Sequence, residues 1–168
     1  MHSEEKNTEP DLSAILEGLV KADVRFILVG GLATVVQGAP VTTMDVDIVH
    51  LQTALNISKL FNFLKSVKAI YRRPDDKIIE PQEQDLSGMG HALLSTRLGP
   101  LDVLAFIEQN QIYEDLIKDA IEIEFRGEIV HVLDIEKIIE LKETSKNPKD
   151  IQRLPLLKET LRQLKNQK

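Results

Sequence analysis

The stretch VGGLATVVQGAPVTTMDVDIV, residues 29–49, constrains this chain more than any other. A short apolar run, RFILV (25–29), meets a glycine pair at Gly30-Gly31. LATVVQ (32–37) follows with helical character and is stopped by Gly38 and Pro40. MDVDIVHL (44–51) then alternates with period two, the mark of a half-buried strand. On a strand, residues i and i+2 share a face, so Asp45 and Asp47 project together while Val46 and Ile48 face the core. Two carboxylates so close repel and are costly on an apolar strand unless a cation sits with them.

The rest of the chain shows what such a corner can be built into. Its 168 residues fit one domain, 42% of them are hydrophobic, and 29% are charged, which suits a soluble globule with a true core. Leu12, Ile15, Leu16, Leu19 and Val20 lie on one helical face, with Thr8 and Asp11 as a capping pair. Ile57, Leu60, Phe61, Leu64 and Val67 mark a second long helix. YRRPDDKIIEPQEQDLSGMG (71–90) is polar and turn-rich and reads as a mobile loop. Residues 91–107 read as two strands joined by a Gly99-Pro100 turn, and Tyr113, Leu116, Ile117 and Ala120 as another helix. IEIEF-RG-EIVHV has the pattern of a hairpin turning at Arg126-Gly127. Asp134 caps a helix carrying Ile135, Ile138, Ile139 and Lys142, and the remainder is helical, with Pro155 either kinking one helix or opening the next.

The order predicts a mixed α/β (α+β) domain with a helical C-terminal end. We expect residues 1–10 to be a disordered N-terminus, 11–133 the core, and 134–168 C-terminal helices packed on the same domain. A net charge of −6 argues against gripping long nucleic acid by bulk charge. The absence of cysteine removes disulfides and thiolate metal sites. The N-terminus is unlike a signal peptide and no apolar run approaches a membrane span, so a cytoplasmic protein is expected.

A third acid, Asp102 in GPLDVLAF, also sits among apolar residues on an expected strand. Three carboxylates from two strands can hold Mg²⁺ or Mn²⁺, two ions ~3.5–4 Å apart suiting in-line phosphoryl chemistry. The bland alternative is that these aspartates cap strand ends or pair with Lys and Arg. Gly30-Gly31 tips the balance, because backbone N–H groups at a strand-to-helix corner can approach a phosphate.

With ILVGG, MDVDIV and LDVLAF in this order, the chain resembles the nucleotidyltransferase superfamily, the DNA polymerase beta-like fold. GAPVTTMDVD and IEKIIELKETSKNPKD resemble its small prokaryotic branch, of toxin–antitoxin or abortive-infection type. Two positions differ: Val41 stands where that branch often has Arg, and Asn147 where it often has a basic residue. The resemblance implies a mixed sheet flanked by helices. It implies an NTP substrate with Mg²⁺ or Mn²⁺, and transfer of a nucleoside monophosphate to a hydroxyl of a protein, RNA or small molecule. It implies Asp45, Asp47 and Asp102 as catalytic metal ligands, and Gly30, Gly31, Thr43 and Lys142 as nucleotide-binding residues. A small helical toxin or antitoxin partner fits the same branch. The competing expectation is an antitoxin or regulatory binding module of this fold with weak or no catalysis.

Lys142, Lys146, Lys149 and Arg153 recur at helical spacing and form a basic stripe if the segment is one helix, either solvated or facing RNA or a partner. Leu154, Leu157, Leu161 and Leu164 suit core packing or a partner-helix seam. The four histidines, His2, His50, His91 and His131, show no metal-ligand spacing, and His91 alone is placed to border the cleft.

Overall fold

The computed structural model describes residues 9–167, so Thr8, His2 and most of the N-terminal tail lie outside the described residues. A seven-stranded mixed sheet runs in the order β3-β4-β5-β2-β1-β7-β6. The strands are β1 (Phe26–Val29), β2 (Val46–His50), β3 (Ile70–Tyr71), β4 (Ala92–Thr96), β5 (Gly99–Leu104), β6 (Ala120–Phe125) and β7 (Glu128–Leu133). The helices are α1 (Leu12–Lys21), α2 (Gly30–Val35), α3 (Ala54–Ser66), α4 (Tyr113–Leu116), α5 (Ile135–Lys142) and α6 (Pro148–Asn166).

Alternation along β2 divides the molecule. Val46, Ile48 and His50 face one way and Asp47 and Val49 the other. On the first face His50 Nε2 bonds the Leu86 carbonyl at 2.7 Å, and α1 and α3 cover the sheet with Ile15, Leu16, Leu19, Leu60 and Leu64. On the other face α2 packs on β2, α5 on α2, and α6 on α5. Leu157 of α6 is buried in the core, and Leu154, Leu161 and Leu164 pack against it, so this leucine series is core rather than a partner seam.

Several expectations shift. The cap of α1 is Asp11 itself, which accepts from Ala14 N at 3.0 Å. The 71–90 segment is anchored rather than a free loop: Tyr71 Oη donates to Asp85 at 2.8 Å, a 3₁₀ turn spans Glu83–Leu86, and Leu86 is buried. The β4–β5 turn is Arg97-Leu98, because Gly99 already pairs with Thr96 and packs against Pro10. The helix at Tyr113 ends after one turn, continues as a 3₁₀ turn over Ile117–Asp119, and gives way to β6 at Ala120. Arg126 and Gly127, both with positive φ, form the expected hairpin turn. Pro155 lies inside a single helix, α6.

Candidate active site

The site is assembled by register. β2 and β5 run parallel with Asp47 opposite Asp102, and β1 pairs antiparallel with β2, setting Val29 opposite Asp47. Asp45 sits one residue before β2, on the same side as Asp47. Each of the three aspartates offers a carboxylate oxygen within 4.8 Å of the other two.

That proximity is electrostatically expensive. Burial, then the charge of Asp45 and the neighbouring Asp102, push the Asp47 carboxyl up to about 8. Burial and Asp102 push Asp45 up as well. Asp47 Oδ1 is buried with no hydrogen-bond partner. Hard oxygen donors, clustered and partly orphaned, are the donor set that Mg²⁺ or Mn²⁺ satisfies. The residues present therefore fit the ion.

Gly30 follows β1 directly and adopts φ +72°. A Cβ there would stand 2.1 Å from Asp47 Oδ2, so a glycine is required for the Asp47 carboxylate to occupy its place. A Cβ at Gly31 would meet Thr43 Oγ1 at 3.1 Å and Arg153 Nη1 at 3.5 Å. Both glycines line a cleft of about 450 Å³ with Thr43, Asp45, Asp47 and Lys142. Thr43 Oγ1 donates weakly toward Asp45, at 3.3 Å to its carbonyl and 3.5 Å to Oδ1.

Cations reach this cleft from two helices. α5 ends at Lys142 and α6 begins at Pro148, with Asn147 accepting from Lys149 N at 2.9 Å as its cap. The basic stripe is thus broken by a turn, yet Lys142, Lys149 and Arg153 all line the cleft, and Lys146 is exposed. Lys142 is 26% exposed and bonds Glu108 at 2.5 Å and Asp150 at 3.4 Å. Burial works against its charge, but these two carboxylates prevail and hold its pKa above the usual lysine value. Arg153 Nη2 donates to the Thr42 carbonyl at 3.0 Å. Val41 is partly buried against the core, so its position carries hydrophobic packing instead of a charge.

Two participants escaped the sequence reading: Arg72, which pairs with Asp102, and Glu108, which holds Lys142 together with Asp150, the last residue of the IEKIIELKETSKNPKD motif. Arg72 lies in the polar segment that carries no periodicity, so no local signal marked it. His91 faces a side pocket of about 360 Å³ that it shares with Asp47, Gly30, Phe106 and Lys142. Its ring lies tilted against Phe106, with centroids 4.7 Å apart, and its Nδ1 accepts from Ala105 N at 3.1 Å. His50 is buried and structural, and His131 lies 3.6 Å from Glu122 on the hairpin.

No protein-family profile matches the sequence, and no curated protein does. Among solved structures, the chain is similar to the antibiotic-resistance factor ANT(2″)-Ia, an aminoglycoside nucleotidyltransferase. Against its solution structure the TM-score is 0.52 at 16% identity, covering 88% of this chain and 80% of the other. Against its crystal structure in complex with adenylyl-2″-tobramycin the TM-score is 0.53 at 17% identity, covering 88% and 85%. The fold is that of the nucleotidyltransferases. No helix among the described residues is long and apolar enough to cross a membrane.

Proposed function

We propose that the protein is a divalent-metal-dependent nucleotidyltransferase that moves a nucleoside monophosphate from an NTP to an acceptor hydroxyl, releasing pyrophosphate. The observation that carries this is the Asp45–Asp47–Asp102 cluster, three carboxylates within 4.8 Å of one another, of which Asp45 and Asp47 line a cleft walled by Gly30, Gly31 and cationic side chains. The nucleotidyltransferase fold supports it.

Asp45, Asp47 and Asp102 would hold Mg²⁺ or Mn²⁺. When bound, such ions neutralise the triphosphate and lower the acidity barrier of the attacking hydroxyl. The chain's own groups bind and orient. Gly30 and Gly31 leave their backbone open to the β- and γ-phosphates, and Lys149 and Arg153 supply positive charge on that wall. Lys142, fixed by Glu108 and Asp150, directs its field at Asp47. Thr43 steadies Asp45. Asp102 would serve the acceptor hydroxyl, whose approach we assign to the side of its β4 register partner Leu93, which is 44% exposed. Catalysis in such a site is mainly positioning and charge neutralisation.

The acceptor class remains part of the proposal: a small-molecule hydroxyl, as in the adenylylated tobramycin bound to the neighbour, an RNA end or a protein side chain. A toxin–antitoxin role, with a helical partner protein, rests on the sequence motifs alone. The test is incubation with each α-labelled NTP, Mg²⁺ or Mn²⁺, and in turn an aminoglycoside panel, RNA and cell extract. Label should move to one acceptor class, and Asp47→Asn should abolish it. No label with any acceptor, together with no triphosphate affinity by calorimetry, would remove the reading.

A further inference from the structure

Among the described residues, one side-chain cation is ion-paired with the acid cluster, and it is Arg72. Its Nη2 donates to Asp102 Oδ1 and its Nη1 to the Leu94 carbonyl at 2.7 Å. Its backbone is fixed, because Arg72 N donates to the Leu93 carbonyl at 3.0 Å, one rung beyond the β3–β4 pairing. Leu93 in turn is the register partner of Asp102. The base of the side chain is therefore locked beside Asp102, while its long stem is held only through the guanidinium's bonds to Asp102 and the Leu94 carbonyl. Of the other cleft cations, Lys142 is engaged by Glu108 and Asp150 and Arg153 by the Thr42 carbonyl, while Lys149 lines the cleft without an ion pair to the cluster.

We propose that Arg72 is the built-in counter-cation of the metal-free site, a positioning residue that a divalent ion displaces from Asp102 and that thereby couples metal loading to nucleotide binding. The inference rests on the metal-dependent reading above. Three clustered carboxylates repel, and a guanidinium on one of them offsets part of that cost. A divalent ion on the same carboxylate repels the guanidinium in turn, so both do not stay. Arg72 is the partner that yields. Its side chain is 34% exposed on a flexible stem, whereas Asp102 is 13% exposed on a strand paired on both sides. Arg72 lines the same cleft as Gly30 and Gly31, so a displaced guanidinium would have the phosphate wall within reach. A triphosphate there gives it a new anionic partner. Nucleotide then favours the displaced state, and by linkage it raises metal affinity by the factor by which metal raises nucleotide affinity.

The experiment is Mn²⁺ titration of the full chain, followed by the electron paramagnetic resonance signal of free Mn²⁺, with and without a non-hydrolysable NTP analogue. Arg72→Met should bind Mn²⁺ roughly two- to fivefold more tightly than wild type without nucleotide, the scale of removing one partly exposed ion pair. The nucleotide-linked gain in affinity should shrink by a similar factor. Arg72→Lys, which keeps a cation, should stay near wild type and serves if the Met variant fails to fold. Equal or weaker Mn²⁺ binding by Arg72→Met, with wild type binding and Asp47→Asn not, would overturn the role of Arg72 alone. Absence of Mn²⁺ binding in all of them would overturn the metal reading and this inference together.

Discussion

Replacing Asp47 by Asn should make the metal-free protein more stable and the metal-loaded protein no more stable than before. Asp47 Oδ1 is buried without a partner, and burial with the charges of Asp45 and Asp102 pushes its pKa from 3.8 up to about 8. Between those values the native state keeps a proton that the unfolded chain has lost. The Asp47 contribution to metal-free stability is therefore greatest at the acid end and falls as pH rises through that window. Above it, wild type carries the full repulsion. Asn keeps the shape, removes the charge and offers N–H donors to the neighbouring carboxylates. The relief is on the order of 1–3 kcal/mol, or roughly 2–10 °C in melting temperature for a chain this long. Saturating ion acts on wild type alone, adding about 2.7 kcal/mol at a hundred times its Kd. Melting at pH 9 should place the Asn variant above wild type in EDTA, and Mn²⁺ should close or reverse that gap. At pH 5 the EDTA gap should shrink, because native Asp47 already holds its proton. An Asn variant that melts below wild type in EDTA at pH 9 would refute the reasoning.

Much of this fold was legible because it is written locally. Ile15, Leu16 and Leu19 repeat at the helical period and all three are buried against the sheet. Asp45 and Asp47 share a side because the strand period is two, which needs no tertiary knowledge. Their meeting with Asp102 is another matter: it depends on the parallel register of β2 and β5, strands separated by a helix, a hairpin arm and the long polar segment. Order in that segment was invisible because its anchors are isolated, Tyr71 to Asp85, Arg72 to Asp102 and the single buried Leu86, with no periodicity to expose them. The basic residues were read partly from spacing, although Lys142 also came from the motif resemblance. Their helical spacing suggested one stripe, but Ser145 and Asn147 end one helix and start the next, with Ser145 Oγ bonding Asp150 at 2.6 Å and accepting from Asn147 N at 3.1 Å. Gly30 likewise was read as room for phosphate, whereas its first duty is room for Asp47.

The glycine pair can be separated by substitution: Gly30→Ala should cost roughly 2 kcal/mol or more in chemical denaturation, from its positive φ and the collision with Asp47. Gly31→Val should instead fold, with Thr43 shifting by tenths of an ångström, and lose triphosphate affinity in calorimetry. Lys142→Met should destabilise by about 1–3 kcal/mol, because Glu108 and Asp150 lose their shared cation, and urea melts with and without Glu108→Gln will show whether the second change restores stability. Asp102→Asn differs from Asp47→Asn in kind. Asp102 is already paired, so neutralising it strands the Arg72 guanidinium, and metal-free stability should not rise. In the proposed reaction Asp102 serves the acceptor hydroxyl, whereas the cleft wall shared by Gly30, Gly31, Lys149 and Arg153 is untouched in the variant. Triphosphate affinity should therefore stay within several-fold of wild type. The transfer rate should fall by roughly 10²-fold or more, the scale of losing one positioned electrostatic group at the reacting centre. Single-turnover rates set beside calorimetric affinities separate the two effects. Transfer at the wild-type rate would mean that Asp102 serves the Arg72 pair alone, and that Asp45 and Asp47 suffice for the chemistry.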